Sequence, residues 1–150
     1  SDVCSSDLFA EVDRHARERR LDALPDAVAT RFPQSDGSVD GIICWDIFDY
    51  LDRDAAQALA DQLTRVLRPN GALFGFFGTG QPGDLYFTKY IIADPGNLKH
   101  RPYPAARGRE PILPNREVIR LFAGLRVSDS FLMKNNVREI LFRKPTYALR

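Results

Sequence analysis

The chain has 150 residues and a mass of 17.0 kDa, the size of one ordinary domain. It is 44% hydrophobic and 27% charged, which excludes a disordered tail, and its 21 Lys plus Arg against 20 Asp plus Glu exclude a strongly basic nucleic-acid footprint. No apolar run approaches the roughly 20 residues of a membrane span, and two cysteines without a signal-peptide pattern exclude a secreted disulfide scaffold, so a cytoplasmic location is expected.

Residues 1–8, S-D-V-C-S-S-D-L, match one reading frame of a common sequencing-adapter end and are set aside as an artefactual leader; the alternative is a polar, frayed terminus. On that expectation the domain is residues 9–150 and its natural front lies upstream. Phe9 to Leu24 is a predicted helix, with Phe9, Val12 and Ala16 on one face and Asp13, Arg14, Arg17, Glu18 and Arg20 on the other. Pro25 opens a second helical stretch in which Leu24, Val28 and Phe32 recur every four residues, and the turn formers of Pro33 to Ser38 end it.

Val39 to Trp45 reads as a short strand buried on both faces. Asp54 to Arg68 is the clearest helix. Ala55, Ala56, Leu59, Ala60, Leu63, Val66 and Leu67 form one apolar stripe, and Asp52 or Asp54 serves as the cap. Pro69-Asn70-Gly71 stops it, and Ala72 to Phe77 follows as a second buried strand, so strand, helix and strand make a right-handed βαβ unit in a parallel sheet. Gly78 to Pro114 holds five glycines and six prolines and reads as a lid or binding loop, with Leu85 to Ala93 either a short helix or a strand. Asn115 to Ala123 predicts a helix with Val118, Ile119 and Phe122 inward and Gly124 at its end. Val127 to Met133 and Val137 to Phe142, joined by Lys134-Asn135-Asn136, predict an antiparallel hairpin.

The order strand, helix, Arg65-Val66-Leu67-Arg68-Pro69-Asn70-Gly71, strand, helix and terminal hairpin resembles the later half of class I S-adenosylmethionine-dependent methyltransferases. Ser38-Val39-Asp40-Gly41-Ile42-Ile43-Cys44-Trp45 is similar to their fourth strand, and the Arg65–Gly71 segment to the approach to their fifth, where Gly commonly stands in the place of Asn70. The resemblance covers roughly Pro33 to Arg143 and implies an α/β, partial Rossmann-like sheet with an antiparallel last strand. It also implies a glycine-rich loop after the first strand and a ribose-holding acid after the second. Neither occurs here, so the first strands are expected to be missing. Without them Val39 to Trp45 presents an unpaired apolar edge, and an oligomeric or poorly soluble chain is expected.

Ligands of open α/β sheets bind beyond the carboxyl ends of the strands. The resemblance places Cys44, Trp45 and Asp46 there, beside the methionine part of S-adenosylmethionine and the incoming acceptor. An aromatic face holds a sulfonium cation, and Asp46 binds an amine or orients an acceptor proton as the catalytic group; the alternatives are core packing for Trp45 and a turn or capping acid for Asp46. For Cys44 a buried structural thiol is the better reading. Phe48 and Tyr50 are expected as pocket wall, and the loop from Thr79 to Tyr90, with Thr79 and Tyr86, over the acceptor; Asp49 and Asp52 are read as caps. Cys44 lacks the preceding Pro typical of related enzymes that methylate C5 of cytosine, and Cys44-Trp45-Asp46-Ile47 lacks the Asn/Asp-Pro-Pro-aromatic turn of those that methylate exocyclic base amines, which disfavours both classes. His15 and His100 stand 85 positions apart, so no metal site is expected, and no G-x-S-x-G elbow supports a hydrolase. The basic segments at Lys89-Tyr90, Lys99–Tyr103 and Arg107–Arg109 read first as a solvated loop, with a lid recruiting an anionic or aromatic acceptor as the alternative. The expected function is methyl transfer to an O or N of a small molecule; the alternative is a non-catalytic binding domain on the same sheet.

Overall fold

The computed structural model describes residues 14, 23–78, 86–104, 113–133 and 137–146; for 86–90 and 100–104 only the backbone is considered. Most of the predicted Phe9–Leu24 helix and all of residues 1–8 lie outside these; Arg14 is helical. Helix α1 is Leu24–Ala29, with Pro25 in its first turn, where its missing N–H costs nothing. It buries Leu24 and Val28, and Phe32 follows just past its end.

Strand β1, Val39–Ile43, leads through a 3-10 turn at Ile47–Tyr50 into helix α2, Arg53–Val66. Asp52, and not Asp54, caps α2: its carboxylate accepts the Ala55 N–H at 2.8 Å. Replacing Asp52 with Ala is expected to lower stability by about 1 kcal/mol, read by urea unfolding. The predicted apolar stripe from Ala55 to Leu67 is buried in full.

Strand β2, Leu67–Gly78, pairs parallel with β1, placing Gly41 opposite Ala72 and Ile43 opposite Phe74. It starts five residues before the predicted Ala72. The helix ends at Val66, two residues before the predicted Arg68, and the segment from Leu67 through Pro-Asn-Gly is drawn into the sheet from the far end of the chain: Asn70 N–H donates to Lys144 O at 2.8 Å and Lys144 N–H to Gly71 O at 3.0 Å. Asn70 sits at φ +65°, a left-handed conformation that Gly adopts freely and Asn better than most residues.

Strands β3, Tyr86–Asp94, and β4, Asn97–Pro104, form a separate antiparallel pair. The described part of the stretch read as irregular is thus a hairpin, and Tyr86 to Ala93 of the ambiguous run are strand, with Leu85 outside the described residues. Its turn is held by the Asp94 carboxylate, which accepts the Gly96 N–H at 2.9 Å and the Asn97 side-chain amide, bonds that also depress the Asp94 pKa. Helix α3, Asn115–Leu121, precedes the terminal hairpin of β5, Arg126–Leu132, and β6, Val137–Arg143. In α3 Val118 and Leu121 point inward, followed by Phe122, whereas Ile119 is 38% exposed, because 119 lies a further 100° around the helix from 118.

The main sheet has the order β1-β2-β6-β5, and β6 runs antiparallel to both its neighbours, as the resemblance implies. Helices α1 and α2 pack on one another, and Phe48, Phe77, Phe122 and Phe142 form the aromatic centre of the core. β1 is not buried on both faces as expected. Val39 and Ile42 face the core, while Ile43 is 43% exposed, since β1 is the outermost strand of the described sheet. Among the described residues no helix is long and apolar enough to cross a membrane.

Candidate functional site

The carboxyl end of β1 is where the sequence pointed. The sheet ladder continues two residues beyond the strand, with Cys44 N–H donating to Phe74 O at 2.9 Å and Phe76 N–H to Trp45 O at 2.7 Å. Trp45 then adopts φ +45°. For a bulky side chain this left-handed conformation costs about 1–2 kcal/mol, and such strain concentrates at functional sites. It breaks the strand and turns the chain into the 3-10 turn. The Trp45 ring stays partly exposed with its centroid 5.7 Å from that of Phe76. Next to it, Asp46 is 3% exposed and is the one charged residue buried among those described. An aromatic face beside a buried carboxylate suits a small cation.

Cys44 is 4% exposed, and its thiol donates to Phe74 O at 3.3 Å. A Cβ on Gly75 would stand 2.7 Å from the Cys44 sulfur, so the thiol occupies the space that glycine leaves. Burial, with added repulsion from Asp46 and Asp49, pushes the thiol pKa up to about 12 from 9.0. A thiol so protonated is no nucleophile. Between these values the unfolded chain has lost the proton that the folded chain keeps, so this group lowers stability as pH rises above 9 and leaves it unchanged below. Urea unfolding at about pH 8 and about pH 10.5 is expected to show the chain losing about 2 kcal/mol more than Cys44→Ala over that interval.

Phe48 and Tyr50 are 4% and 2% exposed and sit in the hydrophobic core, with the Phe48 ring 5.2 Å from Phe122 and 5.8 Å from Phe77. Asp49 does not cap a helix. Its carboxylate accepts the Gly78 N–H at 2.9 Å and ties the turn to the end of β2. Thr79 lies outside the described residues; Tyr86 opens β3, which places its backbone alone. The basic segments at 89–90 and 99–103 lie on the β3–β4 pair, and 107–109 lie outside the described residues. Among the described residues no group of His, Cys, Asp or Glu is arranged to hold a metal. A feature the sequence did not announce is a cleft of about 240 Å³ beside this turn, lined by Phe77, Gly78, Leu113, Pro114, Asn115, Val118 and Arg138. Its residues come from three separate segments, so no local pattern marks it.

The family described as the methyltransferase domain matches residues 1–75, half of the chain. Among solved structures, the 1,6-didemethyltoxoflavin-N1-methyltransferase of Burkholderia thailandensis, with bound 1,6-didemethyltoxoflavin and S-adenosylhomocysteine, is 16% identical with a TM-score of 0.51, over 79% of this chain and 48% of that one. A Pyrococcus horikoshii OT3 protein is 12% identical with a TM-score of 0.53, over 77% and 56%. A SAM-dependent methyltransferase of Methanosarcina mazei is 12% identical with a TM-score of 0.52, over 80% and 65%. The matched part thus spans between 48% and 65% of the length of these structures. Comparison with curated protein sequences gives no match. The structural likenesses show the fold, a partial Rossmann-like α/β sheet, and the sequence match over half its length shows that the chain belongs to the methyltransferase domain family.

Proposed function

We propose that the chain forms part of a cytoplasmic S-adenosylmethionine-dependent methyltransferase acting on an O or N of a small-molecule acceptor. The observation that carries this reading is the Trp45–Asp46 pair, a partly exposed aromatic ring and a buried carboxylate where a parallel strand gives way to a strained turn. S-adenosylmethionine supplies an electrophilic methyl carbon on a positively charged sulfur. The residues present fit its methionine end. The Trp45 face attracts a sulfonium by about 0.5–2 kcal/mol, and the Asp46 carboxylate, withdrawn from water, complements an ammonium or sulfonium more strongly than a surface acid does. Asp46 also orients, or takes, the proton of an attacking hydroxyl or amine. Cys44 packs against β2 beside the pair, Phe48 and Tyr50 stiffen the turn from the core, and Thr79 and Tyr86 are the residues we assign to the acceptor. Most of the acceleration would come from holding the acceptor beside the transferable methyl group. The small-molecule acceptor is supported by the Burkholderia structure, which holds 1,6-didemethyltoxoflavin.

Calorimetric titration of S-adenosylhomocysteine into the chain tests the reading. Binding at micromolar strength is expected, and Asp46→Asn should weaken it about tenfold, the ~1.4 kcal/mol of one charge-assisted contact. An unchanged affinity in that variant would remove Asp46 from the site. No heat from a folded sample of the unaltered chain would overturn the cofactor site itself.

A further inference from the structure

The cleft at the carboxyl end of β2 has a chemistry of its own. Phe77, Leu113, Pro114 and Val118 give it apolar walls, and Asn115 and Arg138 supply its polar groups. Phe77 and Arg138 are direct partners across β2 and β6, so their side chains leave the sheet on the same face, and both line the cleft. The cleft also shares a wall with the candidate site. Gly78, in its lining, is held by Asp49, and the Phe77 ring lies 5.8 Å from that of Phe48.

Arg138 forms no ion pair among the described residues. Glu117, the acid of α3, is engaged by Arg53 and Arg120. Glu139 follows Arg138 in the strand and so faces the opposite side of the sheet. The cross-strand partners of Arg138 are apolar on both sides, Phe77 in β2 and Leu132 in β5. A guanidinium is a planar fork of donors that matches a carboxylate with two parallel hydrogen bonds. Among the described residues it stands at the edge of an apolar cleft without a carboxylate partner, and so lacks that planar anion. At about 240 Å³ the cleft falls below the ~300–1,000 Å³ that hold drug-sized ligands, which leaves room for one ring.

We propose that this cleft binds a single-ring carboxylate, with the ring against Phe77, Pro114 and Val118 and the carboxylate on Arg138, assisted by the Asn115 side chain. That such an acid is the methyl acceptor rests on the methyltransferase reading above; that the cleft binds it does not.

The test titrates benzoate, benzamide and inorganic phosphate separately into the 150-residue chain, followed by ligand-observed NMR and calorimetry. Benzoate is expected to bind about tenfold more tightly than benzamide, which has the same ring without the charge, and phosphate more weakly than benzoate. Arg138→Gln should erase the gap between acid and amide, and Arg138→Lys, which keeps the charge but not the fork, should restore part of it. Equal affinity for acid and amide, no benzoate binding, or a gap that persists in Arg138→Gln would each overturn the proposal. Phosphate binding as tightly as benzoate would overturn its ring component. Titrating S-adenosylhomocysteine into the same sample reads the methyltransferase assignment separately, so either can fail alone.

Discussion

Replacing Phe122 with Ala is expected to cost about 3–5 kcal/mol, the range for deleting a buried aromatic ring and leaving a cavity. Phe122 is fully buried just after α3, with its ring centroid 4.7 Å from Phe142, 5.2 Å from Phe48 and 6.4 Å from Phe77. Those three rings belong to β6, the Ile47–Tyr50 turn and β2, so the cavity opens where the strands and the site-bearing turn converge. Urea unfolding measures the loss. Phe122→Leu, which refills most of the volume, should cost less than half as much, and a loss under about 1 kcal/mol for Phe122→Ala would show that the cluster is not the core. Because Phe48 is one of the three, the Ala variant should also weaken any ligand held by Trp45 and Asp46.

Gly71→Ala is the second large effect, with an expected loss of about 2–3 kcal/mol. A Cβ there would stand 2.7 Å from Leu67 Cδ1, 2.8 Å from Arg68 O and 3.0 Å from Asp40 O. The two oxygens belong to the backbone and cannot turn aside as a side chain can, so the chain must shift both within β2 at Arg68 and between β2 and β1. Gly41→Ala is the control in the same sheet. Its nearest neighbour would be Ala72 O at 3.7 Å, an ordinary contact, and a change below about 1 kcal/mol is expected. Thermal or urea unfolding of both variants checks the contrast, and equal losses would show that close approach is not what position 71 requires.

Position 71 also shows how the chain divides between what is local and what is not. That a helix ends before Pro69-Asn70-Gly71 is legible in the sequence, because Pro lacks an N–H and Asn and Gly tolerate the φ of +65° that Asn70 adopts. That the same residues then join a strand is decided by Lys144, more than seventy positions away, whose backbone hydrogen-bonds both Asn70 and Gly71. The candidate site divides in the same way. Trp45 and Asp46 follow a short apolar strand that precedes an amphipathic helix, and that local order puts them at the carboxyl end of a parallel strand. The positive φ of Trp45 and the burial of Asp46 arise from packing and leave no mark in composition.

By itself the sequence determined the elements whose signals are periodic and local: the α2 stripe, the βαβ unit, the terminal hairpin and the position of the Cys44–Asp46 segment at a strand end. These follow from side-chain spacing of 3.6 or 2 residues and from turn residues, which act within a few positions. Tertiary structure alone decided the rest. It exposed one face of β1, drew Asp49 from an expected cap to the Gly78 N–H, and set Phe48 and Tyr50 into the core. It also brought Arg138 to Phe77 in one cleft. In each of these cases the deciding neighbour lies in another segment of the chain, where burial and hydrogen-bond partners depend on how whole elements pack and not on the spacing of residues within one.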